Sequence, residues 1–265
     1  MNLNKKINGV GTIGKIIAIA NQKGGVAKTT TAVNLSSWLS LMGNRVLLVD
    51  IDPQGNATTG VGVDKNGVQQ SIYDILIGGA NPKEVIIQSA VEGLDMIPAT
   101  IELAGAEIEL VAVAERETLL KKSLQPLKSA YDFIFIDCPP SLGLITINAL
   151  TAADSLIIPI QCEFYALEGL SQLMNTFQMV QQHLNPRLQL EGVLLTMFDG
   201  RTNLAIQVVD EVKKHFRDKV YRAVVPRNVR LSEAPSHGKP VMVYDRRSKG
   251  AEVYRELAKE VMGIE

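Results

Sequence analysis

Asn21-Gln22-Lys23-Gly24-Gly25-Val26-Ala27-Lys28-Thr29-Thr30 stands between two patterned segments. Before it lies an apolar run, Ile16-Ile17-Ala18-Ile19-Ala20, and after it a helix-patterned segment from Thr29 to Leu41, which Gly43 brings to a stop. The order is therefore strand, glycine-containing turn, helix, with Lys-Thr at the helix start. That is the context of a phosphate-binding loop. Successive backbone N–H groups of such a turn, with the positive end of the helix, form a concave anion site. Lys28 is expected to reach the β- and γ-phosphates of a nucleotide, and the Thr29 hydroxyl to bind Mg²⁺.

Composition sets the frame around this loop. The chain has 265 residues, 46% hydrophobic and 21% charged, which suits a soluble globular protein with a substantial core. No Pro/Ser-rich stretch or charge run divides it, so one large domain is expected over residues 15–265, with a flexible tail at 1–14. Cys138 and Cys162 are too few for a disulfide scaffold or a four-cysteine metal site. Residues 1–6 lack an apolar leader core, and no apolar run is long enough to span a bilayer. A cytoplasmic location is expected. Within the tail, Gly9-Val10-Gly11-Thr12-Ile13-Gly14 matches the dinucleotide fingerprint, which needs a strand before it and a helix after it. Here a strand follows, so it is set aside.

Downstream, Arg45-Val46-Leu47-Leu48-Val49 reads as a buried parallel strand that ends in Asp50-Ile51-Asp52-Pro53-Gln54-Gly55-Asn56. Ligands of open α/β sheets bind beyond the carboxyl ends of strands, which places these aspartates beside the loop. Asp52 precedes a proline and can initiate a turn as well as serve a site; Asp50 can cap or hydrogen-bond the loop. Phe133-Ile134-Phe135-Ile136-Asp137 has the form of a Walker B strand, whose carboxylate holds the Mg²⁺ shell. Between these strands, residues 71–77, 101–113 and 117–131 read as helices, the last broken at Pro126, and 94–98 as a short strand. Beyond Asp137 the pattern alternates: strand 155–160, helix 165–183, strand 190–197, helix 203–216, strand 220–225, helix 251–262. The fold class is α/β, a single-domain P-loop NTPase with a mostly parallel twisted sheet and helices on both faces.

The loop departs from G-x-x-x-x-G-K-[ST]: Gln22 and Ala27 occupy the glycine positions, and a second lysine, Lys23, precedes Gly24-Gly25. This resembles the deviant Walker A motif of the ParA/MinD ATPases, in which the extra lysine crosses a dimer to the partner's nucleotide. Those proteins usually have glycine at position 27, so Ala27 strains the loop if it needs a positive φ. The resemblance implies that the run Lys23, Gly24, Gly25, Val26, Ala27, Lys28, Thr29, Thr30 binds ATP. It also implies that Asp52, in a switch I-like segment, orients the attacking water. Cys138-Pro139-Pro140-Ser141 and Gly143 look like switch II.

Charge is polarised along the chain. Residues 201–247 hold eleven Lys and Arg against five Asp and Glu, a net +6, which leaves −7 on the remainder. Such asymmetry points to a nucleic-acid face, although solvated helix charges contribute to it. Phe198-Asp199-Gly200-Arg201-Thr202-Asn203 and the run from Val225 to Pro235 are similar to the ParA (Soj) chromosome-partitioning group. By that resemblance Arg201 and Arg230 contact DNA without regard to sequence, within a basic surface that includes Arg227, Lys213, Lys214, Arg246 and Arg247. Pro226 and Asn228 lie against the adenine. The implied cofactors are ATP and Mg²⁺. The implied partners are a second copy of the chain, non-specific double-stranded DNA on the nucleoid, and a ParB-type centromere-binding protein. The last helix balances acid and base on its polar face, where a membrane-surface helix is rich in Lys and Arg. It is expected to pack on the body of the protein rather than on lipid, which disfavours the alternative of a MinD-like membrane-cycling regulator.

Overall fold

A computed structural model of the chain describes residues 13–163 and 166–264. The proposed tail at 1–14 lies almost wholly outside them. Among the described residues eight strands form one sheet: β1 (Lys15–Ile19), β2 (Val46–Asp50), β3 (Ile87–Gln88), β4 (Leu94–Ile97), β5 (Phe133–Asp137), β6 (Ser155–Gln161), β7 (Gln189–Phe198) and β8 (Val220–Pro226). Their spatial order is β3-β4-β2-β5-β1-β6-β7-β8, and all pairings are parallel except β3 with β4. The loop that follows β1 therefore sits at the centre of the sheet. Asp50 and Asp137 are register partners at the carboxyl ends of β2 and β5.

The central strands are apolar throughout because helices cover both faces. In β1, Ile16 and Ala18 join one core cluster, while Ile17 and Ile19 join the other, as the period of two requires. One layer contains α1 (Lys28–Leu41), α2 (Asn56–Gly60), α10 (Val229–Glu233), α11 (Val241–Tyr244) and α12 (Lys249–Met262). The other contains α3 (Ile72–Leu76), α4 (Pro82–Val85), α5 (Leu103–Glu109), α6 (Leu119–Leu124), α7 (Leu144–Ala152), α8 (Ala166–His183) and α9 (Asn203–Phe216).

α1 is buried at eleven of its fourteen positions, which explains its small polar residues. Ser36 and Ser37 return their hydroxyls to the carbonyl of Val33, and Thr31 meets the Tyr254 hydroxyl of α12 at 3.1 Å. These are local partners that let a helix with short polar side chains run between sheet and helix. α12 buries Ala251, Tyr254, Leu257 and Ala258 against that layer, so the last helix packs on the body as expected. Gly14 leads into β1, and a Cβ on it would collide with the carbonyl oxygen of Tyr131. Close packing accounts for that glycine.

Boundaries differ in instructive places. The helix expected over 101–113 is α5 followed by a 3₁₀ turn at Leu110–Ala112, and that over 117–131 is α6 with a 3₁₀ turn at Gln125–Ser129. Ser71 lies outside α3 as its cap: its hydroxyl accepts from Tyr73 N, and Asp74 accepts from Ser71 N in return. α2, α4, α7, α10, α11 and the antiparallel edge strand β3 were not expected. α7 is buried over most of its length, its polar Thr146, Asn148 and Thr151 included, and has no side-chain cap, so neither a helical period nor a start signal marks it.

Candidate nucleotide site and basic edge

The loop between β1 and α1 borders an open cavity of about 590 Å³ at the carboxyl edge of the sheet. Gly24, Gly25, Ala27, Lys28, Thr29 and Thr30 line it from one side, with Asp52, Asn56, Pro139 and Pro140 opposite. Neighbouring strands hold the loop. Asn21 Nδ2 donates to the Pro159 carbonyl at 2.7 Å, and the Thr196 hydroxyl donates to the Val26 carbonyl at 3.1 Å. Ala27 has φ 68° and ψ 32°, so the loop does demand the left-handed conformation there. Met197, at the end of β7, also has a positive φ, 51°, and lines the same cavity. Two non-glycine residues in this sparsely populated region at one cavity are what a ligand site tends to collect.

Lys28 is buried, and its ammonium donates to the Lys23 carbonyl at 2.9 Å. Burial lowers its pKa, while Asp137, Cys138 and Asp52 act to raise it. Asp137 is fully buried, and among the described residues neither of its carboxylate oxygens has a hydrogen-bond partner within normal geometry. Burial first, and then the charge of Asp50, push its pKa well up, opposed by the Thr29 hydroxyl. A carboxylate in this state costs stability unless a cation completes it. The pairing of Thr29 and Asp137 thus fits Mg²⁺, a hard ion that takes oxygen ligands and keeps several waters.

Asp50 is committed to the fold. It accepts from Asp52 N at 3.0 Å, from Thr58 N at 2.9 Å and from the Thr58 hydroxyl at 2.8 Å, and burial raises its pKa to about 6. Asp52 forms the turn that its sequence context suggests: Oδ1 accepts from Gln54 N at 3.0 Å, and its carbonyl accepts from Gly55 N at 2.9 Å. Its side chain still borders the cavity. Pro226 and Asn228 line neither this cavity nor a second one of about 400 Å³ between α1, α2 and Ala234–Lys239. Asn228 instead caps α10, accepting from Arg230 N at 2.9 Å.

The basic residues divide into two places. Arg201 bonds both oxygens of Asp199, at 2.8 and 2.6 Å, and these hydrogen bonds, with a smaller contribution from the more distant charge of Arg227, hold the Asp199 pKa down to about 2. Arg230 pairs with Glu233 at 2.8 Å and with Asp245 at 3.3 Å, which ties the residue before Arg246 and Arg247 to α10. Arg246 lies over the Trp38 ring, 5.9 Å from its centre. Lys213 and Lys214 belong to the last turn of α9, about 15 Å along the helix axis from its start beside Arg201. Lys213 and Lys214 thus stand apart from Arg201, while Arg246 and Arg247 follow the Asp245 that pairs with Arg230. Sequence reasoning missed Thr58, Met197 and Glu163. Glu163 accepts from Arg227 at 2.7 Å and lies 3.9 Å from the Lys23 ammonium.

Fold and cavity together define a P-loop nucleotide-binding protein. Residues 14–190 match a family model described as an AAA domain. The chain is 68% identical to the sporulation initiation inhibitor protein Soj of Bacillus subtilis, over 94% of this chain and 98% of that one. It is 54% identical to the chromosome partitioning protein ParA of Myxococcus xanthus, over 96% and 90%. The chain belongs to the Soj/ParA family of chromosome-partitioning ATPases. Among solved structures, cobyrinic acid a,c-diamide synthase from Mycobacterium smegmatis with bound ATP analog and magnesium superimposes with a TM-score of 0.83 at 40% identity, covering 94% of this chain and 95% of that one. The septum site-determining protein MinD of Pyrococcus horikoshii, complexed with Mg-ADP, gives 0.79 at 30% identity, over 94% and 96%. No described helix is long and apolar enough to cross a membrane.

Proposed function

We propose that two copies of this chain close face to face on ATP and Mg²⁺, bind non-specific double-stranded DNA, and separate on hydrolysis, which a ParB-type partner stimulates. The observation that carries this reading is the disposition of the two lysines. Lys28 lines the cavity of its own chain, whereas Lys23, one turn earlier in the same loop, does not and leans toward Glu163 instead. A lysine at a phosphate loop that does not serve its own cavity is free to serve that of a second copy.

Further features of this face agree. A Cβ on Gly24 would meet only Pro140, at 3.9 Å, so the fold of the single chain has room for a side chain there. Glycine at 24 instead allows another backbone to approach closely. Ile101 and Ala104 line the cavity, and the same side of the α5 segment continues through Ile108 and Val111, which are 79% and 62% exposed. An apolar stripe that starts at the nucleotide cavity suits burial against a second copy.

In the closed state Lys28, and Lys23 of the opposite chain, offset charge on the phosphates. Thr29 and Asp137 hold Mg²⁺, whose charge offsets that of the β- and γ-phosphates. Asp52 orients the attacking water. Closure sums two basic edges, and electrostatic affinity for DNA grows with the number of phosphates neutralised, so dimerisation switches DNA binding on. An activating cation from the partner protein, in the manner of an arginine finger, accounts for stimulation of a slow basal rate. The setting is the nucleoid, where this cycle drives segregation of a chromosome or plasmid.

Sedimentation velocity with ATP and Mg²⁺ tests the reading. Wild type should form a dimer that Lys23→Ala abolishes, with nucleotide binding by the single chain retained. Equal dimerisation by the variant would remove Lys23 from the interface.

A further inference from the structure

Glu163 follows the end of β6 and stands between the phosphate loop and the basic edge. Its Oε1 accepts from Gln161 Nε2 at 2.6 Å and from Arg227 Nη2 at 2.7 Å, while its Oε2 lies 3.9 Å from Lys23 Nζ. Its backbone N–H also donates to the Gln161 carbonyl, at 2.8 Å, which fixes the side chain's point of departure. One carboxylate, oriented by Gln161, thus faces two cations that the proposed function sends to different phosphates. Lys23 goes to a second copy's nucleotide and Arg227 to DNA. Neither cation has another ion-pair partner within contact distance among the described residues.

We propose that Glu163 is the resting counter-ion of both cations in the lone chain, a positioning residue that keeps Lys23 on its own chain and neutralises Arg227. The inference rests on the functional reading above for its consequence, but not for its geometry. Each cation must give up Glu163 before it reaches a phosphate. Because they share one carboxylate they compete for it, so withdrawing either strengthens the hold on the other. Side-chain exposures of 43% for Glu163, 32% for Lys23 and 58% for Arg227 keep these contacts in a wet, well-screened setting. Such pairs are weak, and a weak tie suits a contact that must be exchanged on every cycle.

The test needs neither a dimer nor DNA. Nucleotide-free protein is treated briefly with acetic anhydride, or with phenylglyoxal in a separate reaction. Labelling of Lys23 and of Arg227 is then followed by peptide mass spectrometry, with Lys259 on α12 as the internal standard. Glu163→Gln should speed labelling of both residues by about 1.5- to 5-fold, the range that an exposed ion pair supports. Glu163→Asp should return both rates toward wild type. Arg227→Gln should slow labelling of Lys23, because the carboxylate is then left to the lysine alone. A merely structural role for Glu163 would not produce these opposite signs. Unchanged labelling of Lys23 in Glu163→Gln, or faster labelling of Lys23 in Arg227→Gln, would overturn the proposal. If the wild-type protein neither dimerised with ATP nor bound DNA, the functional reading would fail while these labelling ratios still decided the role of Glu163.

Discussion

At Ala27, a Cβ sits where the loop turns left-handed, φ 68° and ψ 32°, a conformation that crowds any side chain against the following carbonyl. Replacing it with glycine should stabilise the protein by up to about 1 kcal/mol, the crowding relieved being partly offset by the extra freedom of glycine in the unfolded chain. In a chain of this size that raises Tm by roughly 2–4 °C. A thermal melt of Ala27→Gly that fell below wild type would show that the loop is relaxed as it stands. Position 27 was legible only through the resemblance, whose members usually have glycine there. Asp137 was legible as the last residue of an apolar strand. Its orphaned carboxylate supplies the physical content that a motif lacks. Met197 was not legible, because a positive φ at the end of an apolar strand pattern leaves no compositional mark.

The segment from Asp50 to Thr58 shows how an element is held for a site. Asp50 gathers Asp52 N together with both donors of Thr58, and the Thr58 hydroxyl in turn accepts from Ala99 N at 3.1 Å. One buried hydroxyl therefore joins β2, α2 and the chain beyond β4. Thr58→Val keeps the shape and removes the hydroxyl, leaving Asp50 and Ala99 N short of a partner. A loss of roughly 1–3 kcal/mol is expected in urea unfolding. A loss below 0.5 kcal/mol would show that water replaces the hydroxyl. The sequence left Asp50 open between capping and hydrogen-bonding the loop because its partner lies eight residues on, in a short helix with no apolar period of its own. Long amphipathic elements were read more closely: the helix expected over 203–216 is α9 to the residue, with a hydroxyl cap from Thr202 and one buried face through Ala205, Val208, Val212 and Phe216.

Across the whole molecule, net charge is close to zero while one stretch carries a large excess of base. The fold turns part of that linear excess into an edge, where Arg201, Arg227 and Arg230 surround the carboxyl ends of β7 and β8 with carboxylates already in contact. Those exposed pairs are individually weak, so phosphates can compete for the arginines. Lys213 and Lys214 looked equivalent in sequence because a count along the chain ignores the length of a helix. Arg230→Ala should weaken DNA binding about equally on any sequence and reduce the slope of log K against log salt by about 1. An unchanged slope would take Arg230 off the DNA face. The central claim, a nucleotide-controlled switch in DNA binding, is tested most directly by measuring affinity for non-specific duplex DNA without nucleotide, with ADP and with ATP, across a salt series. Binding that requires ATP, ignores sequence and falls steeply with salt is the predicted result. Equal binding in all three nucleotide states, or none in any of them, would contradict it.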